Sequence, residues 1–165
     1  IHTDAGSIYL KGEVYLPGPS NSGISLGPSV TSTVSGDIFL ETVGGLGWYN
    51  SGSNAVVNSG RNIEIKLDSE FGWNSVATSL DMIAAGNLSI KSITAGTPIN
   101  VGASSGELYL QTAFLDRLQA STLTIGDSTS GLITVNPYGT WSSRASSGVN
   151  FVSGSGAGDV WAVGN

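Results

Sequence analysis

Apolar and polar residues in this 165-residue chain alternate in short bursts rather than at a helical period. Six bursts share one form, a small residue, a glycine, then apolar, any, apolar. They are Ala5-Gly6-Ser7-Ile8-Tyr9-Leu10, Ser35-Gly36-Asp37-Ile38-Phe39-Leu40, Ser59-Gly60-Arg61-Asn62-Ile63-Glu64-Ile65, Ala85-Gly86-Asn87-Leu88-Ser89-Ile90, Ser105-Gly106-Glu107-Leu108-Tyr109-Leu110 and Ser130-Gly131-Leu132-Ile133-Thr134-Val135. The first apolar position falls at 8, 38, 63, 88, 108 and 133, giving steps of 30, 25, 25, 20 and 25. Alternation puts each apolar pair on one side of a strand. An interval of 20 to 30 residues that shares only a short strand after a turn describes a solenoid of β-coils. The expected fold is therefore all-β, a right-handed parallel β-helix of six to seven coils, with Ile8, Ile38, Ile63, Leu88, Leu108 and Ile133 as rungs of one ladder.

Weaker alternating segments lie between the bursts: Val14-Tyr15-Leu16, Ile24-Ser25-Leu26, Ala55-Val56-Val57, Leu80-Asp81-Met82, Ile99-Asn100-Val101 and Leu123-Thr124-Ile125. They supply the second and third strand of each coil. The glycine before each burst suits a tight corner that asks for positive φ, so valine at Gly36 or Gly106 should damage one. All five prolines, at 17, 19, 28, 98 and 137, fall outside the ladder strands, as a residue with no N–H must. Trp48 and Trp73 stand 25 residues apart and predict superposed corners. The best helix candidate is Thr112 to Ala120, where another strand is the favoured reading. The coils are expected over residues 1–141. Residues 142–165 read as a Ser/Gly-rich loop and a final alternating strand that continues the solenoid or meets the next unit. An antiparallel sandwich would instead show hairpins closed by Asn-Gly or Asp-Gly, and neither pair occurs.

Composition narrows the setting. Charged residues make up only 11% of the chain and glycines number 24, so Ser, Thr, Asn and Gly carry its polarity, as is common in extracellular β proteins. With six basic residues against twelve acidic and no basic cluster, neither nucleic acid nor an anionic membrane is an expected partner. No apolar run is long enough for a membrane-spanning helix. Without cysteine there is no disulfide or thiolate metal site. The opening Ile1-His2-Thr3 suggests a chain processed or cut from something longer.

The small-x-Gly-x-Ile/Leu-x-Leu/Ile strands, above all Ala84-Ala85-Gly86-Asn87-Leu88-Ser89-Ile90 and Leu123 to Val135, resemble the β-helical exoproteins of bacterial surfaces. These are the filamentous-haemagglutinin-like adhesins and the autotransporter passengers. The likeness covers residues 5–135. It implies export to the cell surface or beyond, an adhesive or structural role with no enzymatic activity, and no cofactor. Expected partners are further copies of the unit, stacked end to end or in tandem, and host or matrix glycans.

Catalytic signals are thin. Asp68, Glu70 and Asp81 form the closest acidic cluster, better explained as a solvated face. His2 is the only histidine, so a Ser-His-Asp triad or a histidine metal site would rest on the first residues. The Gly154 to Trp161 run lacks the Gly-Lys-Ser/Thr ending of a phosphate loop and the glycine spacing of a calcium repeat. Asn87-Leu88-Ser89 fits a glycosylation triplet inside a ladder strand, a coincidence of packing. Aromatics remain: Trp48, Tyr49 and Trp73 in loops, with Tyr9, Phe39 and Tyr109 at outward strand positions, are the candidate ligand-binding surface, since flat rings stack on sugars. A carbohydrate-binding or carbohydrate-cleaving β-helix is the alternative they support.

Overall fold

The computed structural model describes residues 1–13, 22–26, 30–43, 46–50, 55–67, 80–103, 105–136, 141–154 and 160–162. The chain opens with β1 (His2–Thr3), β2 (Ile8–Glu13) and β3 (Ser22–Leu26), followed by β4 (Val30–Thr33), β5 (Ile38–Val43) and β6 (Leu46–Asn50). Next come β7 (Ala55–Ser59), β8 (Ile63–Leu67), β9 (Leu80–Ala84), β10 (Asn87–Ser92), β11 (Ile99–Val101) and β12 (Leu108–Leu110). A single helical turn, α1 (Thr112–Leu115), leads to β13 (Leu118–Gly126), β14 (Ile133–Val135), β15 (Arg144–Val152) and β16 (Val160–Ala162). Every pairing between described strands is parallel, which is a β-solenoid and excludes the hairpins of a sandwich.

Parallel stacking follows from the alternation: a single coil cannot cover its apolar face, whereas the next coil covers it and satisfies its backbone groups. In the first wall β2, β5, β8, β10, β13 and β15 lie side by side, with Ile8, Ile38, Ile63, Leu88, Leu123 and Val149 in register. The second wall is β1, β4, β7 and β9, completed by the first residues of β13 and β15. A third wall holds β12, β11, β14 and β16 in that order, and β3 pairs with β6. One apolar cluster runs from Ile8 to Ile133. Ile38, Ile63, Leu88 and Ile133 have no exposed surface, and each contributes roughly 1.5–3 kcal/mol of burial.

Two expectations need correction here. The solenoid has about four turns rather than six to seven. In these the first and second walls are separate strands; β13 and β15 then each run through the corner and serve both walls. Nor do Leu108 and Ile133 belong to the first-wall ladder, because they flank Ile99 in the third wall. The rung after Leu88 is Leu123, a step of 35 residues, because the chain doubles back between β11 and β12. Those parallel neighbours are joined by residues 102–107 alone, against the dozen or more usually needed. Gly102 and Gly106 make the return possible at φ 74° and 135°. The helix candidate divides, its first residues forming α1 and its last entering β13.

Polar ladders finish the corner between second and first walls. Asn62 donates from its backbone and side chain to Asp37 Oδ1, at 3.1 and 2.9 Å. The Asn87 N–H donates to Asn62 Oδ1 at 2.8 Å, and Thr124 Oγ1 to Asn87 Oδ1 at 3.0 Å. Deeper in, Thr33 and Ser59 hydroxyls donate to the carbonyls of Gly6 and Gly36. Gly36 is not in the positive-φ region that its position before a burst suggests. It is required because a Cβ there would collide with the Gly6 carbonyl of the preceding coil.

Candidate functional site

Outward side chains of the first wall form a charge lattice. Lys11 Nζ lies 2.9 Å from Glu13 and 3.2 Å from Glu41, and Tyr9 donates to Glu41 at 2.8 Å. Further along, Glu64 accepts from Lys66 at 3.2 Å and Lys91 at 2.9 Å, and Lys91 stands 3.9 Å from Asp127. The Tyr9 hydrogen bond, aided by Lys11, holds the Glu41 carboxyl below its ordinary value. Burial pushes Glu64 up, but hydrogen bonds from Lys91 and Lys66 outweigh it, leaving that carboxyl low too. Each charge here is answered by a neighbour, so this face presents little unbalanced charge to a ligand.

Of the expected aromatic surface, Tyr9 is 58% exposed, with its ring centroid 6.3 Å from that of the half-buried Phe39. Tyr109 is buried, contrary to its expected outward position, because both faces of the doubled-back β12 are covered. Trp48 and Tyr49 lie on β6 opposite Ile24 and Ser25 of β3. Their side chains, and Trp73 entirely, fall outside the described residues, as do Asp68 and Glu70. Asp81 pairs with Arg117 at 3.2 Å. Asn87 is engaged in the corner ladder. Among the described residues no group of three His, Asp or Glu side chains could hold a metal ion.

The second wall carries what sequence reasoning missed. His2, Ser32, Asn58, Ile83, Gln119 and Arg144 are successive register partners and form one outward column. At its head His2 Nδ1 is 2.8 Å from Ser32 Oγ, and His2 Nε2 is 3.0 Å from Asp4 Oδ1. The three residue types of a hydrolytic triad thus meet, in the order nucleophile, base, carboxylate. Transition-state stabilisation needs free donors beside the nucleophile, yet the Ser32 N–H already donates to the Ile1 carbonyl. Asp4 is also 91% exposed, so the trio acts as a clasp of β1 onto β4.

Below the clasp the column sinks into a groove of about 340 Å³. Its lining comes from four rungs, at residues 58–60, 83–85 and 119–121 and at Arg144 and Ser146. The recess has a simple origin. Corner segments shorten along the axis from 4–7 and 34–37 to 60–62 and 85–86, and β13 has none. β15 then carries an extra residue, Ser146 and Ser147 standing where β13 has Ser121.

Comparison with protein-family models, curated proteins and solved structures finds no match for the chain.

Proposed function

We propose that the chain is a structural and adhesive β-solenoid module of a secreted or cell-surface protein, acting through reach and rigidity and stacking on further copies end to end. The observation that carries this reading is the first wall, whose aliphatic rungs run in register from Ile8 to Val149 over one core. Stiffness comes with such a wall, because bending it would open a rung. At its two ends β2 and β15 each pair with one described strand only, leaving an edge that templates further strands. Paired charges on the first wall, and a surface dominated by Ser, Thr, Asn and Gly, suit long exposure outside a cell.

Sedimentation velocity and negative-stain electron microscopy of the purified chain test this. Expected are rods that lengthen with protein concentration. A monodisperse monomer at every concentration would overturn the stacking. The alternative, a glycan-directed solenoid, is supported among the described residues by the second-wall groove.

A further inference from the structure

We infer that the second-wall groove is a binding site for an acidic oligosaccharide, its sugar carboxylate held by Arg144. The inference rests on the glycan-directed reading and names the class of glycan.

Among the described residues Lys11, Arg61, Lys66, Lys91 and Arg117 each lie within 4 Å of a carboxylate. Arg144 does not. Its one side-chain hydrogen bond runs from Nη2 to Gln119 Oε1 at 2.9 Å, which steadies the guanidinium at the groove wall and leaves most of its donors without a protein partner. None of the groove-lining residues is acidic, in a chain with twelve acidic residues. The local field therefore favours an anion although the whole molecule is negative.

The remaining lining defines the shape of the ligand. Asn58, Gln119 and Ser146 are exposed amide and hydroxyl side chains, suited to the donor and acceptor pattern of sugar hydroxyls. Ile83 lies between Asn58 and Gln119 in the column, and Ala85 beside it leaves a low apolar floor where the C–H face of a ring can rest. Four rungs span about 14 Å, enough for a few sugar units lying along the solenoid axis. An extended peptide would gain most from unpaired backbone groups, and β7, β9 and β13, three of the four strands of this floor, are already paired on both sides. A planar carboxylate matches a guanidinium fork.

Titration calorimetry of the full chain with a tetragalacturonate probe, beside maltotetraose, tests the assignment. Expected is binding of the acidic probe, weakened at least about tenfold by Arg144→Gln and less by Gln119→Ala. Lys11→Ala on the first wall should leave the affinity unchanged. Equal binding of both sugars, or an affinity indifferent to Arg144→Gln, would overturn the acidic assignment while leaving a glycan-binding solenoid. Binding of neither would overturn both. Equal binding of a tetraglutamate peptide would show that charge alone is read, and would overturn the sugar assignment.

Discussion

Asn62 shows how much one side chain can do at a corner. It accepts from the rung above and donates to the rung below, so hydrogen bonds of the side chains continue the pitch of the backbone. Gly36 acts by what it lacks. Gly36→Val would force the Gly6 and Gly36 coils apart, with an expected cost of about 3 kcal/mol in urea unfolding. Alanine should fail as well, since the collision begins at Cβ; a tolerated alanine would refute the close approach. At the other end of the first-wall strands, the Thr42 and Ser92 hydroxyls are buried without a hydrogen-bond partner. An unpaired buried hydroxyl is costly, so Thr42→Val should stabilise the fold by about 1 kcal/mol in the same assay. A loss of stability would mean that the hydroxyl is satisfied in solution.

At the scale of strands, the ladder turns burial into a gradient. Ile63 is covered by rungs on both sides, whereas Val149, on the last described rung of the first wall, is half-buried. Ile63→Ala should cost about 2–5 kcal/mol and Val149→Ala clearly less; equal losses in denaturant titrations would contradict the gradient. This scale also shows what the sequence could and could not tell. Bursts at 8, 38, 63 and 88 could be read because alternation and glycine punctuation coincide there. The burst at 108 carries the same signature but belongs to another wall. Period alone does not say which wall a strand joins, and the return through residues 102–107 leaves no mark but two glycines. Leu123, the true next rung, has no prefix of a small residue and a glycine because β13 passes the corner without a turn. The groove was illegible for a related reason. Asn58, Ile83, Gln119 and Arg144 share no motif and are gathered only by register, while Tyr9 and Phe39 stand on the first wall and Tyr109 on the third.

For the whole molecule, electrostatics and edges set the response to conditions. Glu41 and Glu64 bind protons less readily folded than unfolded, and so does Asp127, where hydrogen bonds from Thr129 outweigh burial. Their contribution is complete above the ordinary carboxylate values of 4.5 and 3.8 and is lost as the pH falls through the lower folded values. Lys66 is shifted upward by Glu64, so its share is present below the ordinary lysine value and lost at alkaline pH. Thermal unfolding should therefore occur at a nearly constant temperature around neutrality and at a falling one below about pH 4.5. Glu64→Gln should flatten that acid limb, each pair being worth at most about 1 kcal/mol at this exposure. An acid limb unchanged in Glu64→Gln would place the titrating groups elsewhere.

The narrowing corner also makes the coils unequal as building blocks. Deleting 25 residues, 38–62, would set the four-residue corner 34–37 directly before β8, whose old corner was only one residue shorter. Excising 88–122 would instead leave the β9–β10 corner leading straight into the tail of a strand shaped to need no corner at all. Insertions and losses of single coils are therefore easier to accommodate near β5 than near β13, and lineages of this protein that vary in length should vary toward the wide end.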